Sequence, residues 1–159
     1  MRVKLVPPSP EELDTVAAAQ RAVPLVPSPE ADCCALLVER IDVGSRDVAA
    51  TWLTFLRGLG LVRETERGFV RTREDPTRAA IAAGLEDGVL GARELLDALT
   101  TDPTSVDEAF EVVRKRVPRW ERVKDHAWES TWRTRTERLL GWLVLAGQAE
   151  RVGDEYVRA

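Results

Sequence analysis

Apolar residues recur at spacings of three and four along most of the chain, in segments separated by proline and glycine. Ser9-Pro10-Glu11-Glu12 opens the first segment with a serine N-cap, a proline in the first turn and a glutamate three residues after the cap. Pro24 ends that helix near Ala22. Ser28-Pro29-Glu30 repeats the start, and a second helix continues through Cys33 and Cys34 to Ile41. After a tight turn, Ser45 caps a third helix whose Val48, Trp52, Phe55, Leu56 and Leu59 share one face. Gly60 is placed to stop it. The period then falls to two, and Leu61–Thr65 and Phe69–Thr72 flank Glu66-Arg67-Gly68, which predicts a β-hairpin.

The order helix, helix, turn, helix, hairpin resembles the winged helix-turn-helix superfamily. The residues that carry the resemblance are LLVERIDVGSRDVAATWLTFLRGLGLVRETERGFVRT, positions 36–72, within a unit of roughly residues 10–73. The resemblance implies that the third helix enters the DNA major groove and that the hairpin, or wing, touches backbone or minor groove. The same fold also serves many protein-binding roles.

Beyond the wing, Asp75-Pro76 starts a helix to about Ala83, and residues 91–100 form another. Ser105-Val106-Asp107-Glu108 is a capping box that begins a helix to about Arg116. Sliding the chain against itself by 87 residues places Leu53, Leu56, Gly60, Val70 and Arg71 on identical residues at Leu140, Leu143, Gly147, Val157 and Arg158. Phe55 falls on Trp142 and Phe69 on Tyr156, with no gap through the hairpin. An ungapped match across three elements predicts a second copy of the unit. Its earlier helices are less distinct, and residues 117–130 form a longer connection than the turn before Ser45. The expected fold is mainly α with short β-hairpins (α+β), a tandem winged helix-turn-helix. Residues 1–75 form the first unit, and 76–159 form the second together with a helical connector.

Charge changes the picture more by its placement than by its sum of −4. Residues 45–75 hold six basic and five acidic groups, and 111–159 hold eleven and eight, whereas 76–110 hold two and seven. The repeated segments are thus locally positive within an acidic body. Arginine outnumbers lysine 20 to 3 and asparagine is absent, a bias that fits a GC-rich coding sequence. No apolar run approaches the roughly 20 residues needed to cross a bilayer, and the start is too short in its apolar part for a secretory signal. Cys33 and Cys34 are adjacent, so they cannot form an ordinary disulfide with each other. They read as reduced helix residues, and the expected location is cytoplasmic.

His126 is the one histidine and has no second ligand type nearby in sequence, so no metal site is expected. No phosphate loop, nucleophile elbow or other catalytic pattern is present, and neither a cofactor nor catalysis is expected. Residues 113–138 carry nine basic and four acidic groups, with Trp120, Trp128 and Trp132 interleaved as packing anchors. Subtracting the apolar stripe from each third helix leaves candidate nucleic-acid contacts. These are Ser45, Arg46 and Thr51 in the first copy, with Arg63 and Arg67 on its wing, and Arg133, Thr134, Arg135 and Arg138 in the second. The second wing carries Asp154 and Glu155, which repel phosphate.

The leading expectation is a tandem winged-helix protein that binds double-stranded DNA, as a transcriptional regulator or chromosome-associated factor. The alternative is a protein–protein interaction module within a larger nucleic-acid-processing complex. A third reading is the docking half of a nucleic-acid enzyme whose catalytic domain lies on another chain. Either a monomer or a homodimer is compatible with two such units in one chain.

Overall fold

A computed structural model describes residues 2–159. The first copy consists of α1 (Leu13–Ala22), α2 (Glu30–Ile41), α3 (Arg46–Gly58) and an antiparallel hairpin of β1 (Val62–Thr65) and β2 (Gly68–Arg71). A connecting helix, α4 (Arg78–Gly88), leads to the second copy. That copy consists of α5 (Ala92–Ala98), α6 (Val106–Arg114), the short α7 (Arg119–Lys124), α8 (Trp128–Leu145) and the hairpin β3 (Ala149–Val152) with β4 (Glu155–Arg158).

Local chemistry sets several boundaries. The Ser45 hydroxyl accepts from the Val48 N–H at 3.2 Å and starts α3. Ser105 and Glu108 form the expected reciprocal capping box of α6, at 3.1 and 3.3 Å. Gly60 and Gly147 adopt φ of 80° and 77°, a left-handed conformation that turns the chain from helix into hairpin. Other starts differ from the sequence reading. α1 begins at Leu13 because Ser9 and Pro10 belong to an N-terminal strap, and Ser9 packs against Gly141 of α8. Ser28 does not cap α2; its backbone is committed to pairing with Phe69. α4 starts after Thr77, whose hydroxyl caps it, and extends to Gly88. α6 ends at Arg114, two residues before the expected Arg116, and α8 starts at Trp128.

Hydrogen bonds show the duplication in detail. The Arg71 N–H reaches the Pro24 carbonyl at 2.9 Å, and the Arg158 N–H reaches the Thr100 carbonyl at 2.8 Å. Phe69 pairs with Ser28, and Tyr156 pairs with Thr104. Matched residues are therefore 76 positions apart before the third helix and 87 apart after it. The second copy carries eleven extra residues between α6 and α8, and α7 occupies that insertion.

One continuous apolar core runs through both copies. Phe55 of α3 and Trp142 of α8 hold the same position in the repeat, and their ring centroids lie 4.5 Å apart. Contact between equivalent residues is the mark of an isologous interface, the kind made by two-fold-related protomers. Trp52 meets Trp142 edge-on at 5.6 Å. The strap, residues 2–10, then ties the two halves together. The Val3 N–H donates to the Gly88 carbonyl at 2.8 Å, and Lys4 pairs with Glu121 at 2.9 Å. The Trp142 indole N–H donates to the Pro7 carbonyl at 2.8 Å. Within the first copy, buried Gln20 reaches the carbonyls of Leu61, Thr72 and Glu74, fastening α1 to the exit of the wing.

Candidate nucleic-acid interface

The first copy presents its cations freely. The Ser45 cap fixes Arg46 as the first residue of α3, with its side chain in solvent. Arg63 projects from β1, and Arg67 occupies the wing tip. Thr65 sets that tip: its hydroxyl donates to the Gly68 carbonyl at 2.8 Å and accepts from the Arg67 N–H at 3.1 Å. The side chains of Arg46, Arg63 and Arg67 make no hydrogen bond or ion pair with any of the described residues. Arg57 is different, because it pairs with Glu64 at 2.7 Å and braces the end of α3 against β1. Thr51 is half-buried, and its hydroxyl donates to the Asp47 carbonyl at 3.2 Å.

The second copy holds its candidate arginines in place. Arg133 is exposed but donates to Asp107 on α6 at 2.7 Å. Arg135 lies over the buried Trp132 ring at 4.7 Å, a cation–π arrangement. Burial pulls the Arg135 guanidinium below its ordinary pKa, the charges of Glu121 and Asp125 act against that fall, and Arg138 adds to it. Arg138 donates to the Val6 carbonyl of the strap at 3.2 Å. Thr134 is exposed, and the strap runs beside it. On the second wing, Arg151 is occupied by the Gly153 carbonyl at 2.8 Å and by Asp154 at 3.7 Å. Thr51, Thr134, Arg135 and Arg138, which the sequence assigns to two separate helix faces, line one shared cleft.

The insertion supplies residues whose exposure departs from the sequence reading. Trp120 is 56% exposed rather than a packing anchor, because α7 buries none of its residues. Val123, 75% exposed, lies one helical turn away, and Lys4 and Lys124 stand over the indole at 4.2 and 5.8 Å. Trp128 is half-buried between Arg114 and Arg122, and Trp132 is in the core. The surplus length between α6 and α8 was the available signal for a surface element. Among the described residues no group of three or more His, Cys, Asp or Glu side chains could hold a metal ion. No described helix is long and apolar enough to cross a membrane.

A family model for the halobacterial double winged helix domain matches residues 1–159. The chain belongs to that family. The double winged helix thus covers the whole sequence, including the strap, α4 and the α7 insertion. No curated protein and no solved structure matches the chain.

Proposed function

We propose that this double winged helix protein binds double-stranded DNA, without catalysis, as a transcriptional regulator or chromosome-associated factor in the cytoplasm. We take residues 1–75 and 76–159 as its two units. Arg46 addresses the major groove from the start of α3, while Arg63 and Arg67 hold phosphates through the wing. The support is the contrast between copies. The first copy keeps three arginines exposed and unpaired among the described residues, and the second engages Arg133, Arg135 and Arg138 internally. An exposed arginine without a partner contributes little to folding, and its planar fork suits phosphate oxygens and guanine edges. Arg133 can exchange its exposed Asp107 partner for phosphate and so forms a secondary contact.

The test is fluorescence anisotropy with a mixed-sequence duplex across a salt series, on the wild-type chain and on Arg46→Ala, Arg63→Ala, Arg67→Ala and Arg133→Ala. The logarithm of the binding constant should fall linearly with the logarithm of salt concentration. Each lost phosphate contact should flatten that slope by about one unit. No binding at low salt, or indifference to every first-copy substitution, would sink the reading.

A second reading is a protein-interaction module, favoured by exposed Trp120 and Val123 on α7, a helix that buries none of its residues. Basic Lys4, Arg119 and Lys124 around that apolar pair suit an acidic partner segment. Trp120→Ala separates the two: it should leave DNA affinity unchanged under the first reading and abolish capture of an acidic partner under the second.

A further inference from the structure

The two third helices of the repeat contribute to a single cleft of about 360 Å³ beneath the strap. Thr51 from α3 and Ser130 and Thr134 from α8 bring hydroxyl groups to it, and Arg135 and Arg138 bring guanidinium groups. The Arg135 Nη1 is buried without an acceptor. The nearby carboxylates are already engaged. Glu121 holds Lys4 at 2.9 Å, while Asp125 accepts from the Ala127 N–H at 2.9 Å and the Thr131 hydroxyl at 3.2 Å. Arg138 gives one N–H to the Val6 carbonyl and makes no other hydrogen bond with the described residues. Arg135 and Arg138 both line this hydroxyl-bearing space, and each keeps N–H groups that no described residue accepts. A buried donor left unmet is costly, so such groups normally find an acceptor.

We propose that the cleft binds a small phosphorylated ligand. Arg135 and Arg138 receive the phosphoryl oxygens, because a guanidinium offers several N–H groups in a fork matched to that geometry. Ser130 and Thr134 hydrogen-bond the polar remainder, and Thr51, whose hydroxyl donates to the Asp47 carbonyl, accepts from it. The volume lies at the small end of ligand pockets, which span about 300–1,000 Å³. Because one wall is α3 and the other α8, an occupant bridges the two third helices and adjusts how they sit. This regulatory consequence rests on the DNA reading, whereas the site itself does not.

The test uses the full chain without DNA, titrated calorimetrically with inorganic phosphate and with adenosine 5′-monophosphate at constant ionic strength in chloride. At least one probe should bind. Arg135→Gln and Thr134→Val should each weaken it by about tenfold, the loss expected for one hydrogen bond to a charged group. Thr134 is exposed, so Thr134→Val should keep the wild-type far-UV circular dichroism and stays informative even if Arg135→Gln does not fold. No binding of either probe, or binding that Thr134→Val leaves unchanged, overturns the site. In a second arm, the bound probe should change duplex affinity, with the reciprocal change in probe affinity that linkage demands. An unchanged duplex affinity overturns the regulatory part alone. Failure of the DNA-free titration leaves the DNA reading standing, so the two are separable.

Discussion

Replacing Trp142 by phenylalanine, the residue at the matching position of the first copy, should destabilise the protein by about 3 kcal/mol. Two losses add. The indole N–H holds the Pro7 carbonyl at 2.8 Å, and Pro7 is buried, so the carbonyl would be left unmet at a cost of about 1–3 kcal/mol. Trp142 is fully buried against Phe55 and Trp52, and the smaller ring forgoes the burial of about three ring atoms, about 1–2 kcal/mol. In a chain of this length each kcal/mol lowers the melting midpoint by about 2–4 °C, so a fall of about 6–12 °C is expected. Thermal and urea unfolding followed by far-UV circular dichroism would measure it, with the urea slope unchanged. Limited proteolysis should also cut residues 5–10 faster, because the strap loses a hydrogen bond to α8. A loss below about 1 kcal/mol, with the strap still protected, would refute the claim that this indole joins the copies and anchors the strap.

Gln20→Leu should cost about 2–4 kcal/mol in the same unfolding assay, because the carbonyls of Leu61, Thr72 and Glu74 lose their shared donor. Gly88→Ala should cost about 1–3 kcal/mol, since a Cβ there would collide with the Gly58 carbonyl and force α4 from α3. Burial raises the pKa of both thiols; neighbouring Cys34, Asp32 and Glu30 add to it at Cys33, while at Cys34 Glu30 adds and Arg46 subtracts. Both should react slowly with a disulfide reagent at pH 8 until the chain is unfolded. The folded state favours the protonated thiol, so this contribution to stability is full below the ordinary thiol value of 9.0 and is lost as pH rises through the higher folded values. Urea midpoints at pH 8 and pH 10 check the sign.

The parts of this fold legible in the sequence are those set by neighbours along the chain. Ser45 as a cap, Gly60 as a stop, the Glu66-Arg67-Gly68 turn and the Ser105 box each depend on residues a few positions away. The repeat was legible from the third helix onward because buried positions must stay apolar there. Its first half was not, since α5 has seven residues to the ten of α1, and the insertion shifts the register by eleven. The state of the candidate contacts was the least legible. Arg133 meets Asp107 across 26 positions, and Arg138 meets Val6 across 132. Ser9 reads as a cap because its neighbours fit the pattern, but packing the strap onto α8 outweighed that local preference.

The contact between Phe55 and Trp142 has a consequence for dilution and for evolution. Two protomers that met this way as separate chains would come apart at low concentration, and every mutation would strike both at once. Joined through α4, the halves meet at a local concentration that dilution cannot lower. Each half can also change alone, as the free arginines of one wing and the acidic tip of the other record. A symmetric dimer reads a palindrome because its halves are identical. This chain brings equivalent residues together as a symmetric dimer does, without that obligation, and on the proposed DNA reading the duplex can be as lopsided as the protein itself.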